Sequence, residues 1–130
     1  MLRSIRAAKL PRIIAGVAAV VFVATATFHS TGYADVSKAV SIPGVPAFLR
    51  RTSPGLWLFF AWHLVALAAA AAWAALSASF SARPLLMFCT AAVAADTAFV
   101  LFQAGLFADT WMLAGAVLCL LFASLRWPCS

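Results

Sequence analysis

Long uninterrupted runs of apolar residues dominate the pattern of this chain. The clearest run extends from Leu56 to Leu76; it contains no charged residue and one strongly polar side chain, His63. About twenty residues at the helical rise of 1.5 Å cover roughly 30 Å, the thickness of the hydrocarbon core of a bilayer. This run therefore predicts a transmembrane helix.

Three further apolar runs complete the predicted architecture. The four predicted spans are residues 12–29, 55–77, 84–103 and 108–126. Short polar turns separate the later spans, so consecutive helices should run in opposite directions. The pattern predicts an all-α fold, a four-helix antiparallel transmembrane bundle that forms one domain over residues 1–130.

Residues that favour helix starts indicate where the spans begin. Pro11 suits the first turn of the first helix, and Ser53 followed by Pro54 suits an N-cap and first helical position for the second. Pro84 is expected to open the third helix, and Asp109 can cap the fourth, where the helix dipole favours an anion.

Residues 30–54 form the one long connection, which glycine and proline residues punctuate. Within it, residues 35–41 are expected to form a short helix capped by Asp35, and residues 45–51 to lie along the membrane interface. A loop of this length either packs as a cap over one end of the bundle or serves as a functional lid.

Composition and charge agree with a membrane location. Hydrophobic residues make up 66% of the chain and charged residues 9%, whereas soluble domains carry about 25% charged residues. Six of the nine basic residues lie on the side of the two termini and three in the long loop, so the positive-inside rule predicts an inner (plasma) membrane protein with both termini cytoplasmic. The net charge of +6 forms no basic patch on a soluble surface, which argues against a nucleic-acid partner.

The first span allows a second interpretation. Its basic start, its apolar stretch and the sequence Ala24-Thr25-Ala26 fit a cleaved signal peptide with an A-x-A site. The basic segment is long, however, and the apolar character continues to Phe28. A retained transmembrane helix is therefore the favoured prediction, and cleavage would leave three spans.

The three cysteines show no metal-binding or redox spacing. Cys89 and Cys119 fall inside spans, where cysteine behaves as a small apolar residue. Cys129, just beyond the last span, is a candidate for palmitoylation. No set of residues has metal-ligand spacing, so no metal site is predicted, and the sequence identifies no cofactor.

Two ionisable residues lie deep within spans, where charge is costly and marks candidate functional positions. His63 lies about nine residues below the outer start of its span and Asp96 about seven below the outer end of the next. Both distances convert to roughly 10–14 Å at helical rise. The two side chains are therefore predicted to pair at equal depth on neighbouring helices.

Further polar groups extend this pair toward the outer end of the bundle. Cys89, Asp96 and Gln103 follow each other at intervals of seven residues and so share a helical stripe. His29 and Asp109, at the outer ends of the first and fourth spans, should lie level with Gln103. Haem ligation by both histidines is disfavoured because they differ in depth by roughly a dozen Å.

These residues leave three interpretations open. In the first, they form a polar core that fixes helix register. In the second, they form a binding site with Trp57, Trp62 and Trp111 as walls. In the third, His63 and Asp96 are a proton-active pair in which Asp96 orients His63. Since no catalytic motif is present, the favoured function is non-enzymatic: an accessory subunit with a protein partner or in a homo-oligomer, or a binder of a lipid, quinone or other small apolar ligand. The alternative is a small membrane enzyme or proton-coupled carrier.

Overall fold

The computed structural model describes the backbone of residues 2–77 and 81–127, with side chains from Lys9 onward. Within these ranges there is no strand, and the elements are α1 (Leu2–Thr31), α2 (Tyr33–Ala39), α3 (Ala47–Ser77), α4 (Ala82–Ala104) and α5 (Ala108–Arg126). In this part of the chain, four helices are long and apolar enough to cross a membrane, as expected for a small membrane protein. The predicted all-α four-helix bundle is confirmed. Cys129 and the centre of the turn after α3 lie outside the described residues.

The four long helices form a ring. α1 packs most extensively against α3 and also contacts α5, while α4 packs against α5 and less extensively against α3. The order around the bundle is therefore α1, α3, α4, α5, and the least tightly closed seam lies between α3 and α4. The short α2 contacts α3 at the end of the bundle.

Small side chains allow α1 and α3 to approach closely. Ala15 and Ala18 of α1 and Ala71 and Ala74 of α3 are completely buried in one apolar core, together with larger residues such as Phe22. Alanine faces bring helix backbones together and increase van der Waals contact, which drives helix association where no water remains to be displaced. The alanine-rich sequence thus determines the tightest packing of the bundle.

Arg12 of α1 contacts the C-terminal end of α3. Its Nε donates to the Ala75 carbonyl at 2.8 Å and its Nη2 donates to the Leu76 carbonyl at 3.1 Å. The last carbonyls of a helix have no partner within the helix, so the guanidinium satisfies acceptors at the end of α3 and interacts favourably with the negative end of its dipole.

The predictions that prolines mark helix starts were wrong for the first two spans. α1 already includes Pro11, and α3 begins at Ala47, so that Pro54 lies inside the helix about two turns from its start. The start of α3 is set by Pro46, whose carbonyl accepts from Arg50 N–H at 3.2 Å. The end of an apolar run marks where the chain passes from lipid to water, but the hydrogen bonds of a helix can continue past that point.

The connection between the first two long helices is consequently shorter than expected. The short helix predicted at 35–41 is present as α2, but it begins at Tyr33 with Gly32 at the N-cap position, and Asp35 lies in its first turn. The stretch predicted to lie along the interface belongs largely to α3. The start of α4 at Ala82 lies close to Pro84, as expected.

Candidate functional site

The predicted pairing of His63 and Asp96 is confirmed by the geometry. His63 Nε2 and Asp96 Oδ2 form a hydrogen bond of 2.9 Å between α3 and α4. The His63 side chain is 36% exposed and the Asp96 side chain 23% exposed, so the pair remains accessible rather than sealed in the core. The two residues lie at matching depth on adjacent antiparallel helices, as the predicted pairing required, and the rotation of α3 and α4 turns their side chains toward each other.

A second histidine–aspartate pair joins α1 to α5. His29 Nδ1 and Asp109 Oδ2 lie 3.0 Å apart, and their side chains are only 9% and 4% exposed. Asp109 was expected to cap the last helix, but Phe107 occupies the N-cap position and no side-chain cap bond forms. The carboxyl, in the first turn of α5, pairs with the imidazole instead.

Trp57 holds His29 in place from the side of α3. The indole ring stacks on the imidazole with centroids 4.0 Å apart and planes inclined by 14°, and Trp57 Nε1 donates to the His29 carbonyl at 2.7 Å. Phe60 meets the same imidazole edge-on at 4.9 Å. Gly32 permits this packing, because a Cβ there would lie 2.8 Å from Trp57 Cζ2. The ring of His29 therefore has a fixed orientation.

Both pairs border one cavity of about 780 Å³ at the end of the bundle where α1 ends and α3 begins. Of the residues that the sequence suggested for ligand binding, six line it (His29, Trp57, His63, Asp96, Gln103 and Asp109), and Trp62 and Trp111 do not. The lining consists of His29, Val36, Ser53, Leu56, Trp57, Phe59, Phe60, His63, Asp96, Phe99, Val100, Gln103, Ala104, Phe107 and Asp109.

Apolar side chains that sequence reasoning missed as site residues form most of the cavity wall. Leu56 and Phe59 project from α3 and Phe99 from α4, and they are 65%, 70% and 63% exposed, respectively. They are accessible beside the loose seam between α3 and α4, and the cavity that they border is open rather than enclosed. The sequence pattern could have identified Phe99, because it lies between Asp96 and Gln103 on the same helical stripe.

Two of the three tryptophans expected as walls lie elsewhere. Trp62 is 71% exposed and borders a smaller groove of about 270 Å³ between α1 and α3, and Trp111 is 64% exposed and does not line the cavity. Cys89, two helical turns from Asp96, is buried in the core and does not line the cavity.

The cavity combines aromatic walls with imidazole, carboxyl and amide groups, a combination suited to orienting a small amphipathic molecule. Among the described residues, no group of three or more histidine, cysteine or acidic side chains is arranged to hold a metal ion. The imidazole, carboxyl and amide groups of the lining can donate and accept hydrogen bonds. Comparison with protein-family models, with curated proteins and with solved structures finds no match for this chain.

Proposed function

We propose that this membrane protein binds a small, predominantly apolar molecule with a polar head, in the class of lipids and quinones, in the cavity between α3 and α4. The observation that carries the proposal is the accessible His63–Asp96 pair in a cavity of about 780 Å³ with aromatic walls. The cavity has the size of typical small-molecule sites, and its few polar groups lie among apolar side chains.

The accessibility of His63 and Asp96 favours binding over a purely structural role. Polar groups within apolar spans are costly, and a pair that only fixed helix register would be best closed off by packing. This pair instead borders the cavity, where a ligand can add hydrogen bonds. The aromatic rings around it supply contact area for an apolar ligand body.

The open seam supports entry from the bilayer. The exposed side chains that flank it, Leu56, Phe59 and Phe99, lie within the apolar helices α3 and α4. A ligand dissolved in the hydrocarbon could therefore reach the polar groups without crossing water. Such a route suits a molecule whose body is more soluble in lipid than in water.

The distribution of basic residues supports an orientation in the plasma membrane with both termini cytoplasmic. Arg3, Arg6, Lys9, Arg12, Arg83 and Arg126 would then face the cytoplasm, and Lys38, Arg50 and Arg51 the other side. The cavity, near the start of α3, would lie toward the outer surface. Reporter fusions that are active on one side only, placed at residue 41 and at either terminus, test this orientation.

The ligand can be captured by purification in mild detergent, followed by organic extraction and mass spectrometry. We expect a defined small apolar molecule at a constant ratio to protein. Val100→Phe fills part of the cavity and should reduce that ratio, whereas Val117→Phe, a partly buried valine on α5 outside the cavity lining, should leave it unchanged. Equal recovery from both variants would contradict the proposed site.

An enzyme or proton-coupled carrier is a second candidate, favoured by the 2.9 Å contact that orients His63 through Asp96. A histidine oriented by a carboxylate is a common proton-transfer arrangement. Asp96→Asn and His63→Gln should then each abolish transport or turnover in reconstituted vesicles while insertion is retained. Ligand retention without any proton-coupled flux would favour simple binding.

An accessory role has its own support, since α4 has the smallest buried share among the four long helices that the structure describes. Its exposed apolar surface could contact a partner subunit or a second copy of the chain. Cross-linking in membranes, followed by identification of the attached protein, tests this role. Exclusive recovery of the monomer would contradict it.

A further inference from the structure

A basic groove lies at the end of the bundle where α3 ends. It has a volume of about 270 Å³ and is lined by Lys9, Arg12 and Ile13 of α1 and by Ala75 of α3. The cavity described above lies toward the other end of α3 and shares no lining residue with the groove. Its nearest lining residue on α3 is His63, roughly 18 Å from Ala75 at helical rise. The groove is therefore a separate candidate for a ligand.

Hydrogen bonds hold the Arg12 guanidinium in one orientation at this groove. Its Nε and Nη2 donate to the carbonyls of Ala75 and Leu76 at 2.8 and 3.1 Å. A guanidinium carries five N–H groups, so these two bonds leave three N–H groups unused. The planar group matches the oxygen atoms of a phosphate, and an ordered side chain loses little conformational entropy when a phosphate binds.

No acidic side chain balances the positive charge at this end of the bundle. Two of the three acidic residues of the chain, Asp35 and Asp109, lie at the opposite end, and the third, Asp96, borders the cavity. Six of the nine basic residues belong to the end that carries the groove, namely Arg3, Arg6, Lys9, Arg12, Arg83 and Arg126. An anion from outside the chain is therefore favoured there.

An apolar strip of α1 runs from the groove toward the middle of the bundle. Ile13, Val17 and Val20 follow each other at intervals of four and three residues, which places them on one face of the helix. Their side chains are 62%, 48% and 69% exposed, and the strip covers about 10 Å along the helix. A ligand with a charged head at Lys9 and Arg12 can lay an apolar chain along this strip.

We propose that this groove binds one anionic phospholipid. The phosphate accepts from Arg12 N–H groups and lies beside the Lys9 ammonium, while an acyl chain runs along the strip from Ile13 to Val20. Basic pockets between transmembrane helices are a recurrent kind of headgroup site. A zwitterionic phospholipid carries its own cation next to the phosphate, so it gains less from two basic side chains. The bound lipid links α1 to the end of α3.

Native mass spectrometry of the full chain in mild detergent measures this binding. The protein is titrated with dioleoyl phosphatidylglycerol and, separately, with dioleoyl phosphatidylcholine, so that only the headgroup differs. One basic side chain near an anionic headgroup strengthens binding about fivefold, so the two in the groove should give about a 25-fold preference for phosphatidylglycerol. Equal affinity for the two lipids would overturn the proposal.

Two variants that each remove one positive charge test the position of the site. Lys9→Gln should lower the affinity for phosphatidylglycerol about fivefold. Arg126→Gln is the matched control, because Arg126 belongs to the same end of the bundle but does not line the groove, and it should leave the affinity nearly unchanged. Both residues are exposed, so both variants should fold, which helical circular dichroism checks. Equal losses would show attraction by the overall charge of this end and would overturn the groove as the site.

Two further measurements separate this lipid from other ligands. Glycerol 3-phosphate carries the phosphate without acyl chains and should not displace phosphatidylglycerol at equal concentration; displacement would assign the groove to a soluble phosphate and overturn the lipid proposal. Val100→Phe, which fills part of the cavity, should leave the binding of phosphatidylglycerol unchanged. Loss of binding in that variant would place the lipid in the cavity and overturn the groove site, whereas loss in Lys9→Gln alone supports the groove.

Discussion

The buried pair of His29 and Asp109 provides a quantitative test of the fold. His29→Phe leaves a carboxyl group buried without its partner, and Asp109→Leu leaves an imidazole in the same position. Loss of one member of a buried ion pair costs about 3–5 kcal/mol. We expect about 3 kcal/mol for each variant, because hydrogen bonds within membrane bundles contribute only about 0.6–2 kcal/mol. The double variant should lie within about 1 kcal/mol of the unaltered protein, because it leaves no orphaned group.

The pair of His63 and Asp96 is the matched control within the same molecule. Its side chains are 36% and 23% exposed, against 9% and 4% for His29 and Asp109. When one of the two residues is substituted, the other can still form hydrogen bonds with other molecules. Each single variant should therefore lower the free energy of unfolding by only about 0.2–1 kcal/mol, as for accessible ion pairs.

For each pair, the two single variants and the double variant form a double-mutant cycle. The free energy of unfolding of each protein is measured by titration with a denaturing detergent in mixed micelles, with helical circular dichroism as the signal. The expected result is strong coupling between His29 and Asp109 and weak coupling between His63 and Asp96. Additive effects of the His29 and Asp109 variants, or a cost of less than about 0.5 kcal/mol for either of these two single variants, would refute the reasoning from burial.

Three further predictions concern packing. Gly32→Ala should destabilise the fold by about 1–3 kcal/mol and shift the Trp57 fluorescence, because its Cβ would meet the indole ring at 2.8 Å; Gly55→Ala, with no atom within 4 Å, is the control. Phe22→Ala should cost about 3–5 kcal/mol in the same unfolding titration, and Phe28→Ala, half exposed, much less. The intact mass of the purified protein should include α1, because this helix supplies completely buried core residues; a mass lower by residues 1–26 would contradict a retained first span.

Much of the fold and part of the site could be predicted from the sequence. The length and apolarity of each run can be read directly from the sequence, and they were sufficient to predict the four long helices. Depth along a helix follows from residue number at a constant rise, and this predicted the pairing of His63 with Asp96. Helix starts were predicted less well, because Pro11 and Pro54 are tolerated inside helices whose hydrogen bonds continue around them.

The rotation of each helix about its axis was not available from the sequence. Most positions on α3 and α5 are apolar, so no stripe of polar residues shows which face of these two helices points inward, and the walls expected from Trp62 and Trp111 were wrong for that reason. Packing of alanine-rich surfaces decides the rotation instead.

The sequence by itself determined a membrane-type bundle of four long helices and one polar pair at a common depth, because both follow from hydropathy and helical rise. Only the tertiary structure decided that α1 lies beside α5, and hence that His29 pairs with Asp109 and is held by Trp57. These contacts join residues far apart in the chain through the order of helices around the ring. That order depends on side-chain shape across whole helix faces, which no local pattern of residues specifies.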